Sequence, residues 1–373
     1  MQPKPVLRKM AELGIGLTTL TALVLAGCGG GSTPAVNTPG TPFSGLMGGA
    51  KQGTVLNLTT TVTTFAGVAG SPAGAANGAS SVAAFSAPGG ITTDGSNLYV
   101  ADENNYLIRQ ITIASGVVST LAGGAAGITP GATDGNATAA SFWAPRGITT
   151  DGTNLYVADT LNGCVRKIVI ASRDVTTLAG PCAATSAGAP FNRPGGITTD
   201  GTNLYVADTL NNNIKKIIIA TGAVTTLAGA GASGAGATAT FNNPMGITTD
   251  GTNLYVADET NNAIRKVVIA TGAVTTVAGP GATTASGAAA TFNGPYGVST
   301  DGTNLYVAEY FGNVIRQIAI ATGVVSTLAG SGAAGANNAS GVAATFNNPS
   351  SLTTDGTSLY VSDTTNNAIR KIQ

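Results

Sequence analysis

Acid–base, nucleophilic and metal chemistry in proteins draws mainly on histidine, cysteine and paired ionisable groups, and this chain is short of them. It has no histidine, three cysteines, and 17 acids matched by 17 bases. Most of the charges recur at fixed spacing. Asp94, Asp151, Asp200, Asp250, Asp301 and Asp355 each precede a glycine. Asp102, Asp159, Asp208, Asp258, Glu309 and Asp363 are each followed seven positions later by a base: Arg109, Arg166, Lys215, Arg265, Arg316 and Arg370. A constant offset points to scaffold, with each carboxylate accepting turn amides and lying near a base across a hairpin. Beyond residue 28 these sets leave the acids Glu103, Asp134, Asp174 and Glu259. They also leave Lys51, Arg146, Arg173 and Arg193 as bases outside the doublets. That is thin material for general acid–base catalysis, which needs a tuned group and a partner. Ser–His and Cys–His nucleophiles and His-bound zinc are excluded. Asp, Asn and carbonyl oxygens could hold Ca²⁺, but no clustered spacing calls for it. No catalytic residue, metal site or cofactor is therefore assigned.

What remains is a set of departures from regularity: Glu103, Tyr106, Trp143, Arg146, Arg193, Met245, Tyr296, Tyr310 and Phe311, with Glu309 replacing the aspartate found at its equivalents. Trp143 is the only tryptophan. Aromatic residues beside arginine are typical of a binding patch. Glu103, Tyr106, Trp143, Arg146, Tyr296, Glu309, Tyr310 and Phe311 are the candidate ligand-binding residues. The balanced charge argues against a nucleic-acid partner. The partner expected is a protein or a glycan, and the chain itself is expected to be a monomer.

Two cysteines, Cys164 and Cys182, face each other across one predicted hairpin, and no other repeat has a cysteine at either place. In an exported chain that arrangement predicts a disulfide. The third, Cys28, ends the run Leu25-Ala26-Gly27-Cys28 after a basic start (Lys4, Arg8, Lys9) and an apolar stretch from Leu13. This pattern resembles a lipoprotein signal: residues 1–27 would be removed and Cys28 lipidated. More than one acyl chain would anchor the protein stably to a membrane. Gly29 follows rather than Asp, which in the sorting rule this resembles favours the outer membrane of a two-membrane host. Residues 28–57, rich in Gly, Ser and Pro, read as a flexible tether.

The elements that must position these residues come from a repeat. The Asp-Gly turns are spaced 57, 49, 50, 51 and 54 residues apart. Residues 244–279 show one unit: apolar bursts at 246–249, 254–258, 264–269 and 274–278, separated by Asp-Gly, Asn-Asn and Thr-Gly. Four short strands with hairpin turns in each repeat predict the blade of a β-propeller. A β-solenoid repeats at shorter period without such tight hairpins. The last unit stops after its third strand at Ile369–Gln373, while an orphan fourth strand, Val62-Thr63-Thr64-Phe65-Ala66-Gly67, precedes the first unit. Pairing residues 61–67 with 368–372 would close a six-bladed ring and protect both edges. Residues 58–373 are the predicted propeller. Repeated Phe and Tyr positions read as packing between blades, with a stacking platform as the sharper alternative.

The segment Leu204-Tyr205-Val206-Ala207-Asp208-Thr209-Leu210-Asn211-Asn212-Asn213-Ile214-Lys215-Lys216-Ile217 resembles the NHL repeat. So do its counterparts in the other units, together with the Pro244-Met245-Gly246-Ile247 and Thr-Leu-Ala-Gly segments. This resemblance implies an all-β, six-bladed NHL propeller used mostly for binding. A few relatives are lyases or lactonases that use His or carboxylate-held metals. Three expectations follow: a lipid-anchored binding or scaffold module, an enzyme with a carboxylate-held metal in the channel, or a purely structural envelope protein.

Overall fold

The computed structural model describes residues 55–124, 129–182, 189–230, 239–282 and 284–373. The signal and lipidation positions, with most of the tether, lie outside the described residues. The rest folds into six antiparallel sheets. Their innermost strands are Pro88–Thr93, Pro145–Thr150, Pro194–Thr199, Pro244–Thr249, Pro295–Thr300 and Pro349–Thr354. Each packs beside the next, and the sixth packs beside the first, so the ring is closed.

The first blade shows how the sequence makes this structure. Its strands are Pro88–Thr93, Asn97–Asp102, Leu107–Thr112 and Val118–Ala122. The Asp94 carboxylate closes the first turn by accepting the amides of Ser96 at 2.8 Å and Asn97 at 2.7 Å. Its other oxygen accepts the Tyr99 hydroxyl at 2.7 Å. Every blade repeats the tyrosine–aspartate bond, so the tyrosine is more than packing: it ties the second strand to the turn. Alternation along that strand buries both faces. Leu98 and Val100 meet Tyr360 and Ile369 of the sixth blade, and Tyr99 and Ala101 meet Leu155 and Val157 of the second. Each such aliphatic side chain contributes about 1.5–3 kcal/mol by leaving water.

The seven-residue offset is also structural. Asp102 accepts the Ser86 amide (2.7 Å), Asn105 Nδ2 (2.8 Å) and Arg109 (2.7 Å), and the guanidinium lies 5.2 Å from the centre of the Phe85 ring. Asp102 and Arg109 are fully buried. Burial raises the Asp102 carboxyl from its ordinary value, against the pull of Arg109, Asn105 and the amide. The pairing recurs at lengths from 2.7 to 3.0 Å in all but the third blade, where Lys215 stands 3.9 Å from Asp208 and bonds Thr226 instead. In the first, second and sixth blades the same arginine also fastens the preceding inter-blade segment through Asn77, Asp134 or Asn338.

Closure uses the two ends of the chain. Val62–Ala66 pairs antiparallel with Ala368–Ile372, Val62 opposite Ile372 and Thr64 opposite Arg370. Phe65 meets the Tyr360 ring edge-on at 5.0 Å. Leu56 is already in the core between the fifth and sixth blades, and its amide donates to Asp301 at 3.1 Å. The packed chain therefore includes Leu56, two residues before the expected boundary at 58. Cys164 and Cys182 are disulfide-bonded, with Cα atoms 4.9 Å apart. The second blade carries a fifth strand that the repeat did not foretell, Gly135–Asn136, paired with Asp174 and Val175.

Candidate ligand-binding site

Each innermost strand starts at a proline, and the next residue lines the mouth of the central channel. Around the ring these residues are Gly89, Arg146, Gly195, Met245, Tyr296 and Ser350. The following position is glycine in five blades, because the neighbouring strand is too close for a side chain. A Cβ on Gly147 would run into the carbonyl oxygen of Gly195. The sixth blade has Ser351 there instead. Deeper in, Thr92, Thr149, Thr198, Thr248 and Ser299 form a band of hydroxyl-bearing residues, each at most 5% exposed. Among the described residues, the hydroxyls of Thr92, Thr149 and Ser299 have no hydrogen-bond partner. A buried hydroxyl left so costs about 1–3 kcal/mol.

These strands enclose a cavity of about 280 Å³. Loops between second and third strands complete it with Glu103, Asn104 and Tyr310, and Thr364 joins from the sixth blade. Arg146 donates to Glu103 through two nitrogens, at 2.6 and 3.3 Å. The same guanidinium lies 6.0 Å from the centre of the Tyr296 ring. Arg146 belongs to the second blade and Tyr296 to the fifth, on opposite sides of a six-membered ring, so this contact crosses the channel axis. Tyr296 stacks on Tyr310 at 5.0 Å, and Tyr310 meets Phe311 edge-on at 5.1 Å. Near this wall Glu259 accepts Asn243 Nδ2 and the Thr260 hydroxyl, both at 2.8 Å.

The electrostatics follow from this packing. Burial raises the Tyr296 hydroxyl, and Glu103 adds to the effect while Arg146 opposes it. Tyr310 is raised by burial and by Glu103. Both phenols are therefore neutral donors at physiological pH. Burial works against the Arg146 charge, but Glu103, paired with it at 2.6 Å, outweighs that and keeps the guanidinium ionised.

Of the residues flagged from the sequence, the structure brings Glu103, Arg146, Tyr296 and Tyr310 together at the cavity. Phe311 extends the aromatic wall outward and is 56% exposed. Trp143 sits apart on the loop entering the second blade, its amide bonded to Asp159. Tyr106 occupies a left-handed turn position, φ 57°, and does not line the cavity. Glu309 is 3% exposed and engaged by Arg316 and the Asn293 amide, so it belongs to the scaffold and not to the cavity. Sequence reasoning missed the hydroxyl band, Asn104 and Ser350. Only Ser350-Ser351 left a signal, as the one pair that breaks the glycine pattern of the innermost strands. Among the described residues no group of three or more His, Cys, Asp or Glu is placed to hold a metal ion. No helix of the described residues is long and apolar enough to cross a membrane.

No family model matches the chain. It is similar to the chicken NHL repeat-containing protein 2, with 36% identity over 95 residues. That match covers 25% of this chain and 12% of the chicken protein. Among solved structures it resembles a Bacteroides thetaiotaomicron protein of unknown function, with a TM-score of 0.64 and 23% identity over 84% of this chain and 75% of that one. It also resembles auxiliary nutrient binding proteins. That of B. thetaiotaomicron gives a TM-score of 0.62 and 17% identity over 84% and 76% of the two chains. That of Bacteroides ovatus gives 0.63 and 17% over 85% and 77%. Six antiparallel blades, the second with an added fifth strand, in a ring closed by Val62–Ala66 make the chain a six-bladed β-propeller, similar over part of its sequence to an NHL repeat-containing protein.

Proposed function

We propose that this propeller is a non-catalytic binding module that takes its ligand, a protein segment or a glycan, into the cavity at the mouth of its channel. In this reading it is exported and held at a membrane by lipid on Cys28. The supporting observation is that the six-fold repeat breaks its symmetry at the cavity. Equivalent positions carry Gly, Arg, Gly, Met, Tyr and Ser, while the turns of the opposite face stay nearly constant. Packing alone gives no reason for five different residue types at one ring of six positions. The carboxylate lining the cavity, Glu103, is already engaged by Arg146, which favours recognition over proton transfer. Two of the similar folds carry names that describe nutrient binding, and that is in keeping with a binding role.

The test blocks the cavity. Gly89 has an ordinary backbone, and a Cβ there would stand 3.4 Å from Glu103 Oε2 and 3.5 Å from the Arg146 carbonyl oxygen, ordinary contacts. Gly89→Tyr should therefore fold and fill the cavity from the position that Tyr296 holds in the fifth blade. The full chain, purified from an exporting bacterial host in detergent, is melted with neutral sugars, short peptides and small anions. One class is expected to raise the unfolding midpoint of the parent protein and not that of Gly89→Tyr. No shift with any class, or equal shifts in both proteins, would refute the proposal.

A further inference from the structure

Resting on the cavity as the ligand seat, we infer that its occupant is a neutral sugar ring, free or as the terminal unit of a glycan. The chemistry of the walls selects this class. A sugar ring presents hydroxyls that both donate and accept around its edge, and a patch of C–H groups on its face. The cavity offers both complements. Arg146 spends Nε and one terminal nitrogen on Glu103 and keeps further N–H donors. Each Glu103 oxygen accepts one of those bonds and retains a lone pair. Donor and acceptor thus stand side by side, as adjacent hydroxyls require. Below them Thr92, Thr149, Thr198, Thr248 and Ser299 line the cavity, with the hydroxyl oxygens of Thr92, Thr149 and Ser299 themselves buried. The Tyr296–Tyr310 stack supplies an aromatic wall for the C–H face.

The same observations argue against the alternatives. An anion would need Arg146, whose charge is already matched by Glu103 at 2.6 Å. A cation would need Glu103, held by the same pair. Taking either ion would break a bidentate pair and leave its other half without its counter-charge. A cavity of about 280 Å³ stands at the small end of ligand pockets, which run from about 300 to 1,000 Å³. That suits one small rigid unit better than a length of peptide.

The experiment is a calorimetric titration of the full chain in detergent. The probes are glucose, galactose, mannose and N-acetylglucosamine, the matching disaccharides, inorganic phosphate and a neutral tripeptide. At least one neutral sugar, as monosaccharide or disaccharide, is expected to bind the parent protein. Its affinity should fall at least about ten-fold in Tyr310→Ala, which removes a half-exposed face of the wall, and in Glu103→Gln, which removes the charged acceptor. Unfolding midpoints without ligand are measured alongside, so that loss of fold is separated from loss of contact. Glu103→Gln also frees the Arg146 charge and is expected to acquire affinity for phosphate that the parent lacks. Phosphate or the tripeptide binding the parent more tightly than every sugar overturns the sugar assignment. If that binding is lost in Gly89→Tyr, the cavity still stands as the ligand seat. Sugar binding that is unchanged in folded Tyr310→Ala and Glu103→Gln also overturns the assignment.

Discussion

At the scale of single residues, the charges of this protein do opposite kinds of work. The turn aspartates Asp151, Asp200, Asp250 and Asp355 are partly buried and Asp301 is buried, and burial alone would raise them. The Asn or Thr side chains, turn amides and tyrosine hydroxyls that bond them outweigh burial and hold them below the usual carboxylate range. Their stability is present above the unfolded value and lost as pH falls through the lower folded values. Asp159 is the reverse: burial pushes it up to about 6 despite Asn162, the Trp143 amide and Arg166. Geometry supports that direction, because Arg166 is shared with a second carboxylate, Asp134, at 2.7 Å. Arg166 therefore keeps a counter-charge when Asp159 takes a proton. Between the ordinary value of 3.8 and about 6 the folded state binds more protons than the unfolded one, so stability declines as pH rises through that window. Asp102, Asp208, Asp258 and Asp363 are raised in the same direction by burial. The urea midpoint is expected to be higher at about pH 5 than at about pH 7, and to drop again below about pH 4. A midpoint that climbs steadily from pH 5 to pH 7 would contradict this assignment.

At the scale of elements, the turn between second and third strands locks four of the six blades to the next. In four blades its left-handed residue is an asparagine whose carbonyl accepts an amide at the entry of the next blade. Asn212 accepts from Asn243, Asn262 from Gly294, Asn313 from Asn348, and Asn367 from Ala87. The first and second blades have Tyr106 and Gly163 there, with no such acceptor to offer Ala144 or Arg193. A tyrosine at φ 57° is also less at ease than asparagine. Tyr106→Asn is expected to stabilise the protein by about 1 kcal/mol through relief and one new bond, read as a raised urea midpoint with unchanged slope. A lowered midpoint would show that Tyr106 contributes more by contact than its turn costs. The strands themselves were legible because Asp-Gly and Thr-Gly turns bound them. The observed Asn253–Asp258 and Val274–Ala278 lie within a residue of the bursts at 254–258 and 274–278. The innermost strand was read two residues short, because Pro244 and Met245 carry no strand pattern and are drawn in by pairing with the second strand.

For the whole molecule, the ring was readable because repeat and closure are both written in the order of the chain. The orphan strand at the start matches the missing strand at the end, and the two pair. The cavity was readable only in part. Glu103, Arg146, Tyr296 and Tyr310 stood out by differing from their equivalents. Thr92 and Thr149 did not, since a threonine that repeats in five blades looks like scaffold until the strands converge on an axis. Nor could spacing alone show that Arg146 reaches across that axis to Tyr296, because the contact joins opposite blades 150 residues apart, residues 146 and 296. The account's central claim is that this symmetry-breaking cavity is where the ligand sits. Amide hydrogen exchange of the full chain, with and without whichever compound raises its unfolding midpoint, tests it most directly. Added protection is expected in the innermost strands of the first, second and fifth blades and around Glu103 and Tyr310, with none at the Asp-Gly turns. Protection confined to the Asp-Gly face, or to the loop of Trp143, would place the ligand elsewhere and contradict the claim.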